Sequence, residues 1–263
     1  MICGHGSRSK NAEQEFGLLA KGLKNKFPET PVEYGFLEYS APNIHMGLDA
    51  LRENGVEHII AVPGMLFAAT HAKNDIPSVL LTYQKKYPKL KVSYGRELAL
   101  HPEMISAFET RILESLGLDH VHDGDLYDTM LVVVGRGTSD TYANAEAAKL
   151  TRIVTENLGF GWSETVYSGV TFPSVGQGLE IASRLGYQKI VVAPYFLFTG
   201  KLIDHNIQPP ISNVKTVQFH KHKKRERRNR RRTKQLTRTT SSHVPSDLNF
   251  EIADTDERVL ASI

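Results

Sequence analysis

Two stretches of this chain lie over each other without a gap at an offset of 131 residues (5 onto 136, 63 onto 194), so the fold is built twice. Gly4 and Gly6 fall on Gly135 and Gly137, Pro42 on Pro173, Gly47-Leu48 on Gly178-Leu179, and Gly55 on Gly186. Pro63 then meets Pro194, and Leu66-Phe67 meets Leu197-Phe198. Glycines serve tight turns and helix ends, prolines serve turns and apolar residues serve cores, so the recurring positions describe a scaffold. The positions that differ carry chemistry. His5 opposes Arg136, Glu38 opposes Gly169, and His71 opposes Leu202. One copy holds two imidazoles and a carboxylate that the other lacks.

Hydrophobic patterning gives each copy the same alternation. Apolar strands are expected at residues 1–3 and 130–134, 32–36 and 165–170, and 58–63 and 189–194. The third pair is apolar enough to be buried on both faces. Between them, Phe16, Leu19 and Leu23 recur at helical spacing, as do Ala143, Ala147, Leu150 and Val154. Helices at 42–54 and 174–185 are stopped by Gly55 and Gly186. The first copy continues with a helix that Asp75 can cap, a strand near 90–94, and a helix over 101–116 opened by Pro102 and ended by Gly117. Strands alternating with helices predict an α/β fold of parallel sheets flanked by helices, in two similar domains. The expected boundaries are 1–118, 126–203 for a truncated second domain, and 204–263 for a tail. The first strand is shorter than its counterpart, as if a couple of residues were missing before Met1.

Charge separates body from tail. Residues 221–238 hold eleven Lys and Arg against one Glu, so a chain of net charge +3 has a body of −7 beyond that run. Lacking apolar period, the tail is expected to be disordered and the second domain to lack its last strand and helix. Eleven positive charges could neutralise phosphates, but without interleaved aromatics or a recognition fold, nucleic-acid binding is not the expected role. His220, just before that run, and His222, within it, read as solvated. The single cysteine, Cys3, excludes an internal disulfide and a Cys-based zinc cluster and fits a reducing compartment. No apolar run is long enough for a membrane span and no signal peptide is read, which points to the cytoplasm.

His5 and Glu38 each follow a predicted strand, and His71 lies in the loop after a third. Ligands of open parallel sheets bind beyond the carboxyl ends of the strands, so these three side chains can share one crevice. The Gly4-His5-Gly6-Ser7-Arg8 loop is tight enough for a ligand to approach its backbone. The loop over 64–71 is mostly apolar and would suit a flat, greasy ligand. Two imidazoles and a carboxylate form an incomplete coordination sphere for cobalt, iron, nickel or zinc, suited to passing a metal on. Across the cleft, Arg8, Lys73 and Arg136 could pair with ligand carboxylates; ion pairs with the body's own acids are the alternative. His45, His58, His101, His120 and His122 read as ordinary surface or hydrogen-bonding residues. Gly135-Arg136-Gly137 lacks the third glycine and acidic partner of a dinucleotide fingerprint.

Gly4-His5-Gly6-Ser7-Arg8, Glu38, and His71 within Thr70-His71-Ala72-Lys73-Asn74-Asp75-Ile76-Pro77 resemble the class II tetrapyrrole chelatases. The likeness is greatest to the long, duplicated sirohydrochlorin cobaltochelatase type. Val133-Val134-Gly135-Arg136-Gly137 and Pro194-Tyr195-Phe196-Leu197-Phe198-Thr199-Gly200 resemble that family's second half. The resemblance covers about residues 1–203, beyond which the chain reads as a replaced end. It implies insertion of Co2+ into sirohydrochlorin on the route to cobalamin, in an interdomain cleft, with no cofactor beyond the substrate metal. His5 and His71 would be metal ligands, Glu38 would assist, and basic residues would meet an octacarboxylate substrate. Fe2+ insertion toward siroheme is the alternative activity, and Ni2+ also suits the ligands. A non-catalytic tetrapyrrole or metal carrier is the competing class.

Overall fold

Each half of the molecule lays down parallel strands joined by crossover helices, as parallel pairing requires. The computed structural model describes residues 1–198 and 249–252. The first half runs β1 (Ile2–Gly4), α1 (Lys10–Lys26), β2 (Tyr34–Phe36), α2 (Ile44–Glu53) and β3 (His58–Pro63). A π-helical turn (His71–Asp75) then leads into α3 (Ile76–Lys86), β4 (Lys91–Tyr94) and α4 (Pro102–Ser115). The second half runs β5 (Thr129–Gly135), α5 (Thr141–Leu158), β6 (Trp162–Tyr167), α6 (Val175–Ser183), β7 (Lys189–Pro194) and β8 (Asn249–Ile252). The strand orders are β2-β1-β3-β4 and β6-β5-β7-β8, the same topology twice.

Local chemistry explains the elements. Asn43 caps α2 by accepting from the Met46 N–H, and Ser174 closes a capping box with Gln177 at α6. Gly159, at φ 73°, ends α5 in the left-handed conformation that costs glycine least. The expected helix periods hold: Phe16 and Leu19 are buried on α1, and Ala143, Ala147, Leu150 and Val154 on α5. The sixth strand starts and ends earlier than expected. The chain leaves it after Tyr167 for a turn whose Val170 has φ 67°.

Two expectations about the sheets fail. The second sheet does not lack its fourth strand, because β8 pairs in parallel with β7, Lys189 opposite Asn249 through Val192 opposite Ile252. Part of the expected tail is therefore a sheet edge. The basic run at 221–238 and the rest of the tail lie outside the described residues. Nor is β3 buried on both faces: Ile59 and Ala61 are buried, whereas Ile60 is 61% exposed. Its counterpart on β7, Val191, is fully buried.

Helix α4 accounts for that difference. Although it follows β4, its Phe108 and Ile112 enter a core with Leu131 and Val133 of β5, Leu150 and Val154 of α5, and Val191 of β7. It covers the second sheet rather than its own. In the first half α2 and α3 cover one face, through Leu48, Leu51, Ile76 and Leu80, while α1 covers part of the other through Phe16 and Ala20. Tyr195 strengthens the joint: its hydroxyl donates to the Ala99 carbonyl at 2.8 Å, and its ring meets Phe108 edge-on at 4.8 Å.

Candidate metal centre

The order β2-β1-β3-β4 places a topological switch between β1 and β3, where the crossovers leave in opposite directions and a crevice opens. His5 leaves the end of β1, Glu38 lies two residues beyond β2, and His71 opens the π-helical turn beyond β3. All three expected ligands meet there. One donor atom from each lies within 4.8 Å of the others. The imidazoles of His5 and His71 stand nearly perpendicular with centroids 4.4 Å apart.

Backbone glycines build this meeting rather than a ligand-facing loop. Gly6 has φ 95°, and a Cβ there would sit 1.7 Å from the Glu38 carbonyl oxygen. The glycine admits the Glu38 loop, whose N–H donates to the His5 carbonyl at 3.0 Å. Gly4 likewise leaves room for the Phe16 ring. The loop over 64–71 also differs from expectation: Met65 packs into the first core, and Leu66 and Phe67 onto the core shared with the second half.

Hydrogen bonding decides which nitrogens are free. The His5 Nδ1 is 3.0 Å from the Gly6 carbonyl oxygen, which can only accept, so Nδ1 carries the proton in the neutral ring. Its Nε2 then presents a lone pair 3.3 Å from Glu38 Oε1. Two electron-rich atoms at that separation repel unless a proton or a cation lies between them. His71 Nδ1 donates to Asp75 Oδ2 at 2.7 Å, which leaves its Nε2 as the available lone pair. Asp75 is not a helix cap as the sequence predicts. Its carboxylate makes no capping bond and instead orients His71. The π-helical turn carries both residues, a distortion frequent at functional sites.

Burial holds the His5 imidazole below its ordinary proton affinity; the Gly6 hydrogen bond opposes this, and the charges of His71 and Arg136 reinforce it. Glu38 pulls the other way, as the smallest contribution. The ring is therefore neutral and able to bind a metal at pH 7. Cys3 is buried in the neighbouring core, and burial pushes its thiol up to about 12, which removes it as a ligand.

The basic residues divide. Arg136 extends beyond β5, exposed, with its charge felt at His5. The Arg8 guanidinium lies over the Tyr39 ring, 4.8 Å from its centroid. Lys73 is not free: it is ion-paired to Asp140, the residue that caps α5, so a bond joins the two halves beside His71. Sequence reasoning overlooked Asp75, Asp140 and Tyr39. The four-residue spacing of His71 and Asp75 was a usable signal for the first. Tyr39, 58% exposed at φ 63°, stacks with His5 at a centroid distance of 6.3 Å. Its counterpart Val170 has the same backbone at φ 67°, so the duplication offset singles out the aromatic ring as the difference.

A family model described as CbiX matches residues 1–115 and 130–238. The second segment continues past Ile203, where the sequence reading ended the resemblance. The chain is 36% identical over 205 residues to the sirohydrochlorin cobaltochelatase of Priestia megaterium, covering 77% of this chain but 65% of that relative's length. It is 32% identical over 205 residues to the sirohydrochlorin ferrochelatase of the same organism, covering 77% of this chain and 74% of that protein. In three dimensions it resembles SirB from Bacillus subtilis with Fe3+, at a TM-score of 0.73 and 23% identity, over 98% of this chain and 89% of that one. That likeness supports the duplicated α/β architecture.

Proposed function

The chain belongs to the CbiX family, and on that premise we propose that it inserts a divalent metal, Co2+ in the first instance, into sirohydrochlorin. The observation that carries the proposal is the convergence of His5, Glu38 and His71 on one point at the switch of the first sheet. In this reading the two Nε2 atoms hold the incoming ion, and Glu38 contributes an oxygen and partial charge neutralisation. As the macrocycle's four nitrogens replace the imidazoles, two pyrrole N–H bonds break and four nitrogen–metal bonds form, two of them to the deprotonated pyrroles. The released imidazoles and Glu38 are the nearest bases for the two protons. A site with three protein donors among the described residues leaves positions open for that exchange.

Recognition of a polycarboxylate falls to Arg8 and Arg136, with Lys73 available once it leaves Asp140. Tyr39 offers an exposed aromatic face beside His5 for the flat macrocycle. Cobalt over iron rests on the cobaltochelatase relative and the route to cobalamin. Fe2+ insertion toward siroheme is the second reading, favoured by the ferrochelatase relative, of which this chain covers the larger share. We place the reaction in the cytoplasm, a reducing compartment that suits the single, unpaired Cys3. The test is an absorbance assay of sirohydrochlorin metalation with Co2+, Fe2+ and Ni2+ in parallel. Wild type should metalate the macrocycle and His71→Ala should not, with circular dichroism unchanged. Full activity in His71→Ala would overturn the assignment. A faster rate with Fe2+ than with Co2+ would select the second reading.

A further inference from the structure

The segment joining α4 to β5 carries a second convergence of imidazoles, and it owes nothing to the reading of the cleft. It reads Asp119-His120-Val121-His122-Asp123-Gly124-Asp125. In an extended chain, residues two apart share a face but rarely meet at their tips. Here the tips do meet: the Nε2 atoms of His120 and His122 are 3.1 Å apart, with rings edge-to-face at 85° and centroids 4.7 Å apart. A turn directly after the pair holds His122 in place. The His122 N–H donates to Asp125 Oδ2 at 2.9 Å, and the Asp125 N–H returns to the His122 carbonyl at 3.1 Å. Gly124 supplies φ 90°, and the Gly161 N–H reaches both the Leu126 and Thr129 carbonyls at 3.1 Å, pinning the loop to the sheet.

A hydrogen bond between two exposed imidazoles competes with water at both nitrogens and contributes little. A cation changes that balance. With nitrogen–metal bonds of about 2.0–2.1 Å, the observed 3.1 Å separation corresponds to an angle of roughly 98° at the metal, between octahedral and tetrahedral values. We propose that His120 and His122 chelate a divalent transition cation, of the class that favours imidazole (Co2+, Ni2+, Zn2+), with water completing its shell. Among the described residues only His5, Glu38 and His71 form a group of three potential ligands, so this is a two-ligand site, weaker and faster to exchange than the cleft. The two sites are also apart. His120 and His122 precede Thr129, the first residue of β5, while Arg136 of the cleft follows its last. The length of that strand, roughly 20 Å at the usual rise per residue, separates the two edges.

Equilibrium dialysis of the full chain against Ni2+, with metal quantified per protein, tests the site. The His120→Ala/His122→Ala variant should bind one equivalent fewer than wild type, keep its circular dichroism spectrum, and metalate sirohydrochlorin at the wild-type rate. The His5→Ala/His71→Ala variant should retain that equivalent. Unchanged stoichiometry in His120→Ala/His122→Ala would overturn the proposal. So would loss of one and the same equivalent in both variants, since only a single shared site behaves that way.

Discussion

The two halves of this molecule share a backbone and differ in what it carries. At the ends of β1 and β5 the same Gly-x-Gly turn presents His5 in one half and Arg136 in the other. Both halves hold a non-glycine residue at left-handed φ, Tyr39 and Val170, so that strained turn belongs to the scaffold and the aromatic ring to the site. The burial of the sheets differs as well, because α4 was made by one half and used by the other. The lesson is that duplication separates residues required for folding from residues added for chemistry, within one chain and without an alignment.

The most severe way to break the comparison is to make the first half imitate the second. His5→Arg rebuilds the turn as Arg136 already has it, so the fold should persist while metalation falls by about 10²- to 10⁴-fold. A rate within twofold of wild type would show that the two turns are not chemically distinct. Asp75→Asn leaves both ligands in place but weakens the orientation of His71; metal affinity should drop about 10- to 100-fold in a Co2+ titration. The burial contrast can be sharpened by a matched pair. Val191→Ala should cost about 2 kcal/mol in urea unfolding, whereas Ile60→Ala, at the equivalent exposed position, should stay within about 0.5 kcal/mol.

The smallest expected effect is electrostatic. Arg136 disfavours a proton on His5, so Arg136→Ala should raise the His5 pKa. A metal competes with that proton, and the acid limb of the metalation profile should then move to higher pH. In wild type the neutral, binding form persists below the usual histidine range near 6.5, and binding is lost as pH falls through the lowered value. An acid limb that does not move, or moves to lower pH, would remove Arg136 from the site's electrostatics.

Much of this was legible in the sequence, for local reasons. Apolar runs between glycines and prolines marked strands and helices, because turn chemistry and burial act over a few residues. The three candidate ligands were placed at strand ends by the same pattern. What escaped depends on distance. The apolar stripe of Phe108 and Ile112 announces a buried face but not which sheet it meets. The run Ile59-Ile60 reads as doubly buried, since nothing local reveals that a covering helix has gone elsewhere. Strand β8 is four residues long and follows more than fifty without regular apolar spacing, so no period could reveal it. Asp75 sits where a cap belongs, and only three-dimensional proximity shows that it serves an imidazole. For Lys73 a ligand carboxylate and an acid of the body were both open, and the sequence could not single out Asp140 because that partner lies in the other half.

The crossing of α4 has a thermodynamic corollary. Unfolding the second half strips Phe108 and Ile112 of their neighbours, and unfolding the first withdraws the helix that covers Val191. The halves are interlocked, so melting should be a single cooperative event, with one calorimetric peak rather than two. Whatever tightens the first crevice, a bound cation included, should therefore raise the melting temperature of the whole molecule.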